Sequence, residues 1–187
     1  MAQLAHVAGG VSAPPVFQEM ADGSFASVRP IIFPREPEFR QREEILANMR
    51  INLARGLPTL KPGPKHDGAL ILVAGGPSLA NEMLTLRMLA ERPGNRIVTA
   101  NDSHDFLINR GIVPWGATYW EVGSPKKASF LDRPHKGVRY FIASQAHPEV
   151  FDKLIAAGAD ITVWHVYHGF PDKADVDLVF EHDPEGF

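Results

Sequence analysis

The sequence predicts an α/β fold: a doubly wound, Rossmann-like, mostly parallel sheet of about five strands, behind an N-terminal arm and helix. Three observations predict it. From Ala69 onward, short apolar runs alternate with segments whose apolar residues recur at helical spacing. Glycine or proline marks the junctions, as in G-G-P-S at 75–78, at Gly111 and at Gly158. A strand–helix series of this kind is satisfied by parallel strands joined through right-handed crossovers, with helices on both faces.

Residues 1–35 are rich in Gly, Pro, Ser and Ala and show no sustained period, which predicts an extended or partly disordered arm. Residues 36–68 read as a helix plus a Pro/Gly linker. Phe39, Leu46, Met49 and Leu53 form one helical stripe, and Gly56 followed by Pro58 stops it. Arg40, Arg42, Glu43 and Arg50 fall on its flanks as a solvated face. Residues 69–187 form the Rossmann-like domain. Its strands are expected at Ala69–Ala74, Arg96–Ala100, Ala117–Val122, Arg139–Ala143 and Ile161–Val166. Helices are expected between them, on Leu79, Met83, Leu86 and Ala90, on Phe106 and Leu107, over Ser124–Leu131, and on Val150, Phe151, Leu154 and Ile155. If the strand order is the common 3-2-1-4-5, a crevice opens between the first and fourth strands. Gly75–Ser78 and Ser144–His147 would then face each other.

Composition narrows the function. The chain has 187 residues and 44% hydrophobic content, enough for one domain with a real core. Nineteen Lys and Arg against 22 Asp and Glu leave no basic excess, so there is no strong nucleic-acid signal. Cysteine is absent, which excludes disulfides, thiolate metal sites and a cysteine nucleophile. No apolar run reaches the roughly 20 residues of a membrane helix, and the N-terminus lacks the pattern of a secretory signal. A cytoplasmic protein is expected, with no membrane partner and with room for homo-oligomers.

The polar residues gather at the predicted C-terminal ends of the strands. Gly75 and Gly76 permit a tight turn and close approach of an anion, Pro77 suits a first helical turn, and Ser78 can cap free N–H groups. A helix start here suits phosphate, although G-G-P-S is neither the dinucleotide fingerprint nor a Walker A loop. After the second strand, Asn101, Asp102 and Ser103 are either helix caps or ribose and base contacts. Glu121 could hold magnesium over phosphates, or pair with Lys126 or Lys127. Ser144, Gln145 and His147 precede a helix opened by Pro148, with His147 as cap or substrate contact. His165 and His168 lie three apart on a strand, point to opposite faces and make a poor metal pair.

The stretches L-V-A-G-G-P-S-L, T-A-N-D-S-H-D-F-L-I-N-R-G-I-V-P and the strand ending in Glu121 resemble the hydroxymethylpterin diphosphokinase-like (MptE-like) family. That family includes motility accessory factor proteins, linked to sugar transfer onto flagellin. Y-F-I-A-S-Q-A-H-P-E-V-F-D-K-L is similar to its phage and prophage members. The resemblance covers about residues 69–168. It implies nucleotide binding at Gly75, Gly76, Pro77 and Ser78, with the carboxylate of Glu121, where the family usually has Asp, near Mg²⁺. The G-P-S-L loop also occurs in certain sialyltransferases that bind a cytidine nucleotide.

The function expected from this is a nucleotide-binding transferase, passing diphosphate from ATP to a hydroxyl acceptor. Glu121 and His147 are its catalytic candidates. Asn101, Asp102, Ser103, Ser144 and Gln145 join the glycine loop at the nucleotide. The alternatives are a glycosyltransferase using a nucleotide sugar and a glycan acceptor, or a non-catalytic nucleotide- or protein-binding module. Family members normally continue beyond the point where this chain ends at D-P-E-G-F. A complete chain of this length is expected to lack part of the family's site, and a truncated one to have it elsewhere.

Overall fold

The computed structural model describes residues 16–19, 25–28, 36–63, 65, 67–123 and 134–184, with side chains from residue 41 onward. The chain divides into two compact units, residues 1–43 and 44–187. In the first, β1 (Val16–Glu19) and β2 (Phe25–Val28) pair antiparallel, with Val16 opposite Val28. Helix α1 spans Glu36–Leu53.

The second unit is a five-stranded sheet of β3 (Leu70–Val73), β4 (Arg96–Ala100), β5 (Gly116–Tyr119), β6 (Arg139–Ala143) and β7 (Asp160–Trp164). Every neighbouring pair is parallel, as the alternation predicts. The strand order is a correction. It runs β3-β4-β5-β6-β7, in chain order, not 3-2-1-4-5. Two strands therefore separate Gly75–Ser78 from Ser144–His147, and the two segments do not face each other across a crevice. The expected helix at Ser124–Leu131 lies outside the described residues.

The intervening helices are α2 (Met83–Ala90), α3 (Ser103–Ile108) and α4 (Pro148–Ala156); α5 (Ala174–His182) follows β7. Right-handed crossovers that always advance in one direction bring successive helices to the same face, and the packing agrees. Val73 and Ile97 cluster with Leu86 of α2 and Leu107 of α3. On the same side in register, Tyr140, Ile142 and Val163 cluster with Val150, Phe151 and Leu154 of α4. Full burial of each such side chain contributes about 1.5–3 kcal/mol. A further cluster joins Leu46, Met49 and Leu53 of the predicted α1 stripe to Val122, Phe170 and Val179. Phe39 lies outside the described side chains.

The residues of β3 that point the other way lie on an open face. The run from Ala69 to Ala74 reads as a buried strand, yet Leu70 is 64% and Leu72 65% exposed. Further along that face, Trp115 stacks near Phe141, centroids 5.4 Å apart, and Arg96 and Arg139 lie over its ring at 4.6 and 5.6 Å.

Inside the domain a polar chain is assigned from its acceptor end. His104 Nδ1 lies 2.7 Å from the carboxylate of Asp105, which can only accept, so Nδ1 donates to it. In a neutral ring Nε2 is then an acceptor for the Tyr140 hydroxyl (3.1 Å), which itself accepts from the His135 N–H (2.7 Å). Burial is the main influence on His104 and lowers its pKa.

Candidate functional site

After β3 the chain runs through Gly75 and Gly76 into a single 3₁₀ turn, Pro77–Ala80, and α2 starts only at Met83. Pro77 opens the turn, as predicted. Ser78 sits inside it, and no side chain caps either the turn or α2, which corrects the capping role expected of Ser78. Gly76 is extended, at φ −168° and ψ 157°. Neither glycine has a left-handed φ, and a Cβ added to either would meet nothing within 4 Å. The fold itself thus makes no demand for glycine at 75 and 76. What the two glycines provide is open space against bare backbone.

Behind β4, Asn101 takes a left-handed φ of 50°, a conformation asparagine tolerates better than most residues. Its Nδ2 donates to Glu121 Oε1 at 3.2 Å. Asp102 occupies the cap position of α3 but makes no side-chain cap bond, and its carboxylate is exposed. Ser103 is committed to structure. Its buried hydroxyl lies 2.6 Å from Val73 O and 2.7 Å from Ala100 O, able to donate to one at a time, and it accepts from the Ala100 N–H. It joins the ends of β3 and β4 and is neither a side-chain cap nor an open ligand contact.

Glu121 lies just beyond β5, exposed, with the Tyr119 hydroxyl 3.5 Å from its Oε2. Burial, then the charge and hydrogen bond of Glu121, then Asp102, push the Tyr119 hydroxyl up to about 12. Asn101, Asp102, Tyr119 and Glu121 thus form one acidic edge across β4 and β5. Lys126 and Lys127, the alternative partners of Glu121, lie outside the described residues. Trp120, 40% exposed, stands between Tyr119 and Glu121.

At β6, Ser144 and Gln145 are buried, and Gln145 Nε2 donates to Trp120 O at 2.9 Å. His147 caps α4, its Nδ1 accepting from the Glu149 N–H at 3.3 Å. A neutral His147 therefore carries its proton on Nε2. The His147 N–H also donates to Glu121 O at 3.3 Å, so the two catalytic candidates sit on adjoining loops. The structure brings together Asn101, Asp102, Glu121, Gln145 and His147, and leaves the glycine loop on the far side of β4.

Sequence reasoning missed Tyr119, Trp120, and two asparagines of α1. Asn48 and Asn52 are buried and bonded to the loops after β5 and β6. Their only signal was a spacing of four beside the apolar stripe. Among the described residues no three His, Asp or Glu side chains gather within reach of one ion. Glu121 and Asp102 remain as the carboxylates at this edge, a donor set that suits magnesium only where substrate oxygens complete the shell. No helix of the described residues is long and apolar enough to cross a membrane.

No family model and no curated protein matches the chain. Among solved structures, the fold is similar to that of the MAf glycosyltransferase from Magnetospirillum magneticum AMB-1, at 15% identity and a TM-score of 0.50. That likeness covers 65% of this chain and 20% of the other, so the chain spans about a fifth of that protein's length. The adenylation domain of a carboxylate reductase from Mycobacterium chelonae also aligns, at 15% identity over 88% of this chain and 25% of that one. Its TM-score of 0.25 is too low to indicate a common fold. The likeness that counts is therefore to the α/β fold of a motility accessory factor glycosyltransferase.

Proposed function

We propose that this chain is a nucleotide-binding protein of transferase type, with the donor's phosphates over Gly75 and Gly76. The observation that carries the reading is the open space before these two glycines, which neither conformation nor packing explains. Exposed backbone next to a Cβ-free surface is what close approach of a phosphate requires. The acidic edge is the second support. Glu121 and Asp102 would hold Mg²⁺ against the donor's phosphates, and the ion would supply charge neutralisation there. His147, with its proton on Nε2, is suited to donate a hydrogen bond at the β6 end of this edge, to the part of the ligand away from the phosphates.

A nucleotide sugar is the donor favoured by the fold likeness to a glycosyltransferase. An acceptor hydroxyl oxygen would bond to the anomeric carbon, its proton would pass to a base, and the nucleotide would leave with the former glycosidic oxygen. The resemblance of L-V-A-G-G-P-S-L and its companions to the MptE-like family supports a second reading. There the hydroxyl oxygen would attack the β-phosphorus of ATP, its proton would pass to a base, the α–β bridge would break, and AMP would leave. Calorimetric titration with ATP, CTP, GTP and nucleotide sugars, with and without magnesium, separates the two. Absence of binding to all of them by the folded full chain would exclude both.

A further inference from the structure

The two loops that carry Glu121 and His147 are held from outside the sheet. Asn48 and Asn52 lie one turn apart on α1, and each amide nitrogen reaches two carbonyls. Asn48 Nδ2 donates to Val122 O and Gln145 O, both at 3.0 Å. Asn52 Nδ2 donates to Ser144 O at 3.0 Å and Ala146 O at 2.7 Å. One of these four bonds thus reaches the loop after β5 and three reach the loop after β6, next to the backbone bond from His147 to Glu121.

Docking alone would not select this arrangement. Asparagine is a poor helix former, and burying its amide is unfavourable unless partners are found. Leucine at 48 or 52 would pack on the cluster of Leu46, Met49 and Leu53, but would leave loop carbonyls without donors. Asparagine is compact and offers two donors from one nitrogen, which lets a single side chain fix the separation of two loops.

We propose that Asn48 and Asn52 are positioning residues of the ligand site that do not touch ligand: Asn48 sets the spacing between the Glu121 and His147 loops, and Asn52 fixes the shape of the His147 loop. Helix α1 is then part of the site. The proposal rests on the nucleotide-binding reading for its effect on affinity, but its effect on the loops is separate. The ionisable groups around the clamp are Glu121, His147 and Arg55, the last bonded to Pro148 O and paired with Asp152.

The test is Asn48→Asp in the full chain, with titration by ATP and by UDP-N-acetylglucosamine and with amide hydrogen exchange. At about pH 8 the ionised carboxyl has no donor for the two carbonyls, and affinity falls at least about tenfold relative to wild type. At about pH 5.5 a carboxyl buried against carbonyl oxygens holds a proton and donates to one of them, restoring the ratio to within about threefold. Exchange at residues 144–147 rises at about pH 8 and falls back with the same pH dependence. Wild-type affinity of the variant at the higher pH overturns the proposal, as does a loss that lower pH leaves unchanged in a folded variant. If the wild-type chain binds neither nucleotide, the functional reading falls, and exchange alone decides the positioning role: unaltered protection at 144–147 ends it. Should Asn48→Asp not fold, Asn48→Ser keeps one donor. It then gives a smaller loss with no pH dependence, and equality with wild type overturns the proposal.

Discussion

At the β7 edge of the sheet, residues 58–60 run beside the strand. Leu60 N–H donates to Val163 O and Val163 N–H to Pro58 O, each at 2.7 Å. Thr59 and Lys61 then reach Asp183 at 2.5 and 2.9 Å, tying this edge to the end of α5. At the opposite edge, β3 pairs only with β4 among the described residues. The Arg96 N–H bonds Ala69 O. In a parallel ladder alternate residues face the neighbour, so the N–H and C=O groups of Leu70 and Leu72 point outward, beside their exposed side chains. The difference separates a closed, strapped half of the sheet from an open one. Among the described residues the β6–β7 half carries the largest buried cluster, whereas the β3–β5 half carries the open glycine loop and the acidic edge.

Four measurements would break or sharpen that contrast. Phe151→Ala, in the β6–β7 core, is expected to cost about 3–5 kcal/mol in urea unfolding; a cost below that range would mean the closed half can collapse around the gap. Acid should come next. His104 and His165 both have pKa values lowered mainly by burial, so the unfolded chain binds their protons first. Their contribution is fully present above the unfolded value of about 6.5 and is lost as pH falls through it toward the folded values. Unfolding midpoints measured from neutral pH downward should fall, and His104→Gln should flatten the slope. Thr59→Ala removes a part-buried hydroxyl at the strapped edge and should cost about 1 kcal/mol. Leu72→Thr and Gly76→Val, at the open end, should each stay within about 0.5 kcal/mol of wild type. Only the second is expected to abolish nucleotide binding, and a large destabilisation by either would show that the β3 end is covered in solution.

The alternation of strands and helices was legible because each element carries its own period, and the core residues Val150, Phe151 and Leu154 follow from it. Strand order was not, since no local pattern in β3 tells whether β4 or β6 lies beside it. The exposure of Leu70 and Leu72 shows the same limit, because an apolar run records what a strand can bury and not what its neighbours supply. At the site, Glu121 and His147 were legible as polar residues at strand ends. Ser103 was misread because its partner, Val73 O, is thirty residues away in sequence. Asn48 and Asn52 were missed for the same reason. Their partners are carbonyls, which no side-chain pattern reveals.

The three tryptophans occupy three unlike settings. Trp115 is flanked by two guanidinium groups, Trp164 donates its Nε1–H to Phe141 O at 3.2 Å, and Trp120 faces solvent beside Glu121. The chain therefore contains its own optical reporter. Replacing Trp115 and Trp164 by phenylalanine would leave one red-shifted emitter at the acidic edge, whose quenching or blue shift would register occupancy there without any added label.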